Sequence, residues 1–464
     1  MLLGCSLIPD RGRSVRFSGD RLELAVSSSE VGEKIAVEIS FLPRNLISMP
    51  TLRPIDRALV PVNSKAAFQV SAPNYDEFQS DREVWDLLQE RPENVLKITM
   101  PHCHVARAEE MIDDGCPEAL AHATSEMRKF EKSPLMREAR NVLWVYSITS
   151  PKRPAEPQLG VGGFGLTSEI RTEKTPNGSV IRNEGIRPEK AEGRAQLLKA
   201  TNADFGTVNL AVNDAQGKLL STLTEIAASR ECDFETHDED QNLHQSWLIS
   251  DEPTKTRLIE LLADEPAAYV ADGNHRSAAA AALGLDHFLT VFFPTSRLGL
   301  EPYNRLLPLN GLSAAAFLQK LEPNFTVQKI ETSAPYRPEQ VGTIGLYLGG
   351  KWYQLAPRPG TFDPENAAES IDSDIIQRHL IDGILGMSDA RDKRINYVGG
   401  NKDAAYLVQR VDAGDYDLAL SVAPVTMKQF VDVCEQNLFM PPKSTWFDPK
   451  IRSGLVIALL GNGH

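Results

Sequence analysis

Cysteine, long apolar runs and positive charge are all scarce in this 464-residue chain. The five cysteines, Cys5, Cys103, Cys116, Cys232 and Cys434, are odd in number and far apart, which suits a reducing cytoplasm better than a disulfide framework. No CxxC spacing points to zinc. PHCHVARAEE puts His102, Cys103 and His104 together. Alternation on a strand would turn Cys103 away from both histidines, and no further Cys or His lies close by to complete a zinc set, so no metal site is expected there. No apolar segment reaches the ~20 residues of a membrane span. The opening MLLGCSLIPDRGR meets charge too early for a signal peptide, so a soluble cytoplasmic protein is expected. The 49 basic residues are outnumbered by 63 acidic ones, giving a net charge of −14, which argues against nucleic-acid or anionic-membrane partners. Any phosphate site must therefore be local.

Apolar content of 42% excludes wholesale disorder, and at ~150 residues per domain the length predicts about two to three domains. Residues 1–48 show no helical period and are expected to be an N-terminal extension, or even an upstream mis-start, because MPTLRPIDRALVPV from Met49 reads like the start of a domain. Residues 49–150 alternate short apolar runs with helical patterns. The proline-rich SPKRPAEPQLG is a linker or surface loop. Residues 160–310 hold the motifs considered below, and 311–464 read as a C-terminal region of helices and strand pairs, with the GG of IGLYLGGKWYQLAP as a hairpin turn. LGVGGFGL has a GxGGxG-like spacing. Charged, turn-rich sequence follows it where a dinucleotide site needs a helix, so no Rossmann site is expected. Strand pairs and helices mix without strict βαβ order, which makes α+β the expected class.

YVADGNHRSAAAAALG, from Tyr269 to Gly284, ends a strand-like run on polar residues and continues as a helix former closed by glycine. A strand-to-helix turn exposes backbone N–H groups and the positive end of the helix dipole, and phosphate fits this geometry best. Gly273 lets the backbone approach a ligand, while His275 and Arg276 offer donors. The same residues are equally well explained by a structural Asp272–Arg276 ion pair.

Two further polar stretches collect ionisable residues that a core would not hold: NEGIRPEK with Glu184, Arg187 and Lys190, and PPKSTWFDPKIRSG with Lys443, Ser444, Thr445, Lys450 and Arg452. Were they to converge with the 272–276 turn, they would supply a base, an anion site and a cationic wall, the parts of a phosphoryl-transfer site. YNRLLPLNG adds Tyr303, Asn304 and Arg305 at a strand end, and in DARDKRINYVGG mutual salt bridges among Asp389, Arg391 and Arg394 suffice.

The combination of NEGIRPEK, ADGNHR, YNR, DARDKRINYVGG and the closing MPPKSTWFDPKIRSGL resembles the domain-of-unknown-function family numbered 1015, from about Leu52 to the C-terminus. The ADGHHR motif of that family is similar to the phosphate-binding turn of the ParB and sulfiredoxin-like superfamily, which includes free L-serine kinases. The resemblance implies an α+β, ParB/sulfiredoxin-like core that binds nucleotide. It implies Glu184 as base, with Asp272 and His275 also in catalysis, and Gly273, Asn274, His275, Arg276 and Ser277 around the donor phosphates. Asp272 would assist Mg²⁺. Arg187, Lys190, Tyr303, Asn304, Arg305, Lys443, Ser444, Thr445, Trp446 and Arg452 would line the acceptor side. The donor stays open among ATP, ADP and pyrophosphate, and assembly of like copies stays open too. Two positions depart from the family pattern: the HE pair is Asn183-Glu184, and the first histidine of ADGHHR is Asn274. Asparagine donates and accepts hydrogen bonds but does not titrate near neutral pH. A phosphotransferase acting on free L-serine is thus the leading expectation, and a non-catalytic nucleotide-binding regulator its rival.

Overall fold

The short apolar blocks of the sequence become strands, and half of the described strands join one sheet. A computed structural model describes the backbone of residues 13–18, 21–26 and 35–39 and, from 49 to 461, every residue except 76, 79, 333 and 401. The chain divides into two units, Met1–Ser48 and Met49–His464. In the first, β1 (Arg13–Ser18), β2 (Arg21–Val26) and β3 (Ile35–Ile39) form an antiparallel sheet in chain order.

In the second unit one sheet of eleven strands takes β4 (Ile55–Pro61), β5 (Met136–Thr149), β6 (Gln158–Leu166), β7 (Val180–Arg182), β8 (Ala203–Asp204), β9 (Val208–Val212), β10 (Phe234–His237), β11 (Leu243–Ile249), β12 (Ala268–Asp272), β13 (His287–Pro294) and the late β22 (Ile457–Leu459). Its order is β7-β12-β9-β13-β6-β5-β4-β22-β8, with β11 on β5 and β10 on β11. Only the β7/β12 and β9/β13 pairs are parallel. Along β5, Leu143 and Val145 pack with Leu159, Val161 and Leu210, while Trp144, Tyr146 and Ile148 pack with Tyr269 and Phe293. Both faces are covered, so the strand reads as unbroken apolar sequence and not as alternation.

A second, antiparallel sheet holds β15 (Asn304–Leu307), β16 (Phe325–Ile330), β17 (Ile344–Leu348), β18 (Lys351–Pro357), β19 (Asn396–Val398) and β20 (Leu418–Val422), in the order β16-β18-β17-β20-β15-β19. Gly349 and Gly350, both at positive φ, turn β17 into β18 as a two-residue hairpin. The pair β14 (Leu300–Glu301) and β21 (Trp446–Phe447) brings the closing motif beside the end of β13. The fold is thus mixed α and β, and no helix among the described residues is long and apolar enough to cross a membrane.

LGVGGFGL is β6, and a short 3-10 turn follows it. Its glycines make room for neighbours: a Cβ on Gly162 would lie 2.3 Å from the Trp144 ring. The PHCH stretch differs from expectation. It forms a 3-10 turn over Pro101–Cys103, so the alternation argument does not apply to it.

Candidate functional site

Strand β12 ends on Asp272, and the helix Asn274–Ala282 begins two residues later with Gly273 at its N-cap in the left-handed region, φ 100°. Positive φ alone favours glycine here. The space is also closed, because a Cβ would meet the Arg276 side chain at 3.1 Å and the Val208 Cα at 3.2 Å. No side chain caps this helix, so its N-terminal N–H groups and dipole are directed at whatever lies beyond the turn.

Beyond the turn the three polar stretches meet. Asn183, Glu184, Arg187 and Lys190, Asp272 to Arg276, and Lys443, Thr445 and Lys450 line one cleft with Tyr75 and Tyr303. Backbone contacts bring them together. Glu184 bridges Met440, whose N–H donates to the Asn183 carbonyl at 2.9 Å, and the Arg187 N–H donates to His275 Nε2 at 3.0 Å. Arg187, Lys190, Lys443 and Lys450 set four cationic groups against Glu184 and Asp272, in a chain whose net charge is −14.

Burial pushes the Glu184 carboxyl above its ordinary range, opposed by Lys443 and Arg187, while Asp272 adds to the rise. Asp272 goes the other way. Burial would raise it, but Lys450 and Arg276 hold it well below the usual carboxylate range. Its Oδ2 accepts from Arg276 Nη2 at 2.9 Å and from Lys450 Nζ at 3.4 Å. The expected Mg²⁺ ligand is therefore already committed to two cations. The residues present fit a Mg²⁺ that arrives on a donor's phosphates and keeps its waters, as this ion commonly does, rather than one held in a protein cage.

Several expected ligand contacts turn out to be internal ones. Arg276 faces inward, donating to the Thr207 carbonyl, to Asn74 Oδ1 at 3.4 Å and to Asp272. The structural ion pair is thus present. Ser277 Oγ donates to the Asn274 carbonyl of its own helix at 3.1 Å, and Ser444 Oγ to the Pro441 carbonyl at 2.7 Å, so neither serine lines the cleft. Asn304 Oδ1 accepts the Val422 N–H at 3.2 Å. The buried Arg305 binds the Tyr303 carbonyl and, at 3.2 Å, that of Lys443, whose φ of 60° it helps to fix. Trp446 stands behind the wall, edge-on to Tyr303 at 5.3 Å with Lys450 Nζ 4.9 Å from its ring centre. Arg452 points away to Glu239 Oε2 at 2.8 Å and to Ser71, and its N–H donates to Tyr146 OH at 3.3 Å, at the end of a buried chain through His244 to Asp238.

The two asparagines at the departures from the family pattern touch each other. Asn274 Nδ2 donates to Asn183 Oδ1 at 2.9 Å, and Asn274 Oδ1, buried at the cleft wall, has no hydrogen-bond partner among the described residues. Tyr75 carries no signal in the sequence, because its loop, APNYDEF, has only a generic polar pattern; its neighbour Asp76 lies outside the described residues.

No curated protein matches the chain. Among solved structures, a free serine kinase in complex with AMP aligns at 11% identity and a TM-score of 0.34, over 58% of this chain and 83% of that one. A conserved hypothetical protein from Pyrococcus furiosus aligns at 12% and 0.34, over 64% and 95%. SbnI with a C-terminal truncation, from Staphylococcus aureus, aligns at 10% and 0.34, over 64% and 87%. The model of the family described as "Protein of unknown function (DUF1015)" matches residues 52–380, most of the chain, and the protein belongs to that family.

Proposed function

We propose that this cleft transfers a phosphoryl group to the hydroxyl of a small metabolite, free L-serine being the acceptor and ATP, ADP or pyrophosphate the donor. One observation carries the reading: a carboxylate made more basic by burial, Glu184, shares a cleft with an uncapped helix N-terminus and the cations of Arg187, Lys190, Lys443 and Lys450. A serine hydroxyl titrates far above neutral pH, so attack on phosphorus needs a base that takes its proton as the new O–P bond forms and the bond to the donor's bridging oxygen breaks. Glu184 is that base. The helix N-terminus and the four cations hold the donor phosphates and spread the charge that moves to the leaving group. Mg²⁺ carried on the donor would add to that neutralisation. The ParB/sulfiredoxin-like assignment of the core belongs to the same reading.

In this reading two residues act through internal contacts. Arg276 orders Asp272 and the turn from behind. His275, whose Nε2 already accepts the Arg187 N–H, positions the 184–187 loop.

The Asn183–Asn274 amide pair favours a second reading, a regulator that binds nucleotide without transfer, because neither residue can move a proton. Incubation with L-serine, Mg²⁺ and each donor in turn separates the two. Phosphoserine from the unmodified protein supports transfer. Donor binding by calorimetry without phosphoserine supports the regulator, and activity gained only in Asn183→His/Asn274→His would mark a site that has lost catalysis.

A further inference from the structure

Away from the cleft, the helix Pro117–Phe130 presents His122 and Glu126 one turn apart on one face. His104, at the end of the 101–103 turn, meets them there. Its Nδ1 lies 2.8 Å from His122 Nε2, and the rings stand edge to face with centroids 4.9 Å apart. One ligand atom from each of His104, His122 and Glu126 lies within 4.8 Å of the other two. We propose that His104, His122 and Glu126 form a binding site for a divalent transition-metal ion of the zinc type, independent of the phosphate cleft and of its proposed function.

Two imidazoles and one carboxylate suit a borderline ion such as Zn²⁺ or Co²⁺, and not a hard ion that wants six or more oxygens. Tetrahedral zinc with nitrogen ligands at about 2.0–2.1 Å would hold the two ring nitrogens about 3.3 Å apart, so the pair must open by only about 0.5 Å. Three protein ligands leave the fourth position to water. The carboxylate is buried, and its two oxygens differ: Oε1 takes Lys129 Nζ at 2.6 Å, whereas Oε2 is 3.8 Å from Lys97 Nζ. Lys97 has a nearer partner in Glu93 at 2.9 Å, and Lys129, with 68% of its side chain exposed, can swing into water. Lysine thus competes with the ion, which makes a prediction of its own.

The neighbouring group of Asp81, His102 and Cys103 is the weaker candidate, because it offers a single imidazole and its carboxylate, Asp81, is exposed. An ion at His104 would fasten the 101–104 turn to the helix Pro117–Phe130. Thr124 of that helix bonds the Ala200 carbonyl at 2.9 Å, at the far end of the helix whose first turn carries Lys190.

The test is calorimetric titration of the chelator-treated full chain with zinc chloride, with magnesium chloride as the hard-ion control, and a visible spectrum with cobalt. The expected result is one zinc ion at this site and no magnesium there. His104→Ala and His122→Gln should each weaken binding by at least the roughly 10–100-fold that losing an outer-shell partner costs. The cobalt spectrum should lack a thiolate charge-transfer band, and Lys129→Ala should tighten binding. Should a histidine variant not fold, judged by circular dichroism, the cobalt spectrum and Lys129→Ala still decide. No zinc binding, affinity in both folded histidine variants unchanged from that of the unmodified protein, a thiolate band, or no change in Lys129→Ala would overturn the site.

Discussion

Arg276, Arg305 and Arg452 lie beneath or behind the cleft with their guanidinium groups on protein acceptors, whereas Arg187, Lys190, Lys443 and Lys450 stand along its walls. The closing motif supplies both sets, Arg452 to the one and Lys443 and Lys450 to the other. The planar five-donor fork of arginine suits the buried girders, and three of the four wall cations are lysines, whose flexible ammonium groups suit a surface that meets a soluble ligand. A motif residue can therefore be as important to building a site as to using it, and substitutions separate the two.

The largest effect is expected beneath the cleft. Arg276→Ala leaves Asp272 with Lys450 and removes the bonds to Thr207 and Asn74, so unfolding stability should fall by about 3 kcal/mol or more. Urea unfolding measures it. Stability unchanged, with donor binding lost, would move Arg276 from the floor to the wall.

Next comes the base. Glu184→Gln keeps shape and hydrogen bonding but cannot take the proton, so turnover should drop about 100-fold while donor affinity barely changes. A variant that turns over as the unmodified protein does would remove Glu184 from the chemistry.

On the wall, Lys190→Ala and Lys443→Ala should each weaken donor binding by about 1.5 kcal/mol, roughly tenfold, with little change in melting temperature. Calorimetry at two salt concentrations should show the loss shrinking as salt rises. A loss of melting temperature as large as that of Arg276→Ala would make the wall structural as well.

A pH dependence sharpens the comparison at a second buried carboxylate. Burial pushes Asp372 up to about 7, with the Gly342 N–H as its opposing contact and no cation beside it among the described residues. Between its ordinary 3.8 and about 7 the folded chain keeps a proton that the unfolded chain has lost, so this group makes stability fall as pH rises through that window. Asp372→Asn should flatten that fall in pH-dependent unfolding. A raised carboxylate alone is thus no active site, and Glu184 differs by the cations around it.

The strand-to-helix turn was legible, because an apolar run, a glycine and an alanine run leave little alternative, and β12, Gly273 and the helix Asn274–Ala282 follow it closely. So was the GG hairpin between β17 and β18. Convergence was not, since the Glu184–Met440 bridge and the Arg187–His275 bond join segments whose sequences carry no mark of each other. Nor was the direction of a side chain: an arginine one turn into a helix has the same composition whether it faces phosphate or Asp272. His104 illustrates both gaps, because its partner His122 comes from a helix 18 residues on.

The most direct test of the account is the pH dependence of phosphoserine formation, compared between the unmodified protein and Glu184→Gln. A base lifted by burial predicts an acid limb in turnover above the ordinary glutamate value of 4.5. The limb should vanish in Glu184→Gln, which leaves only the titration of the donor phosphates. The same limb in both proteins would contradict it.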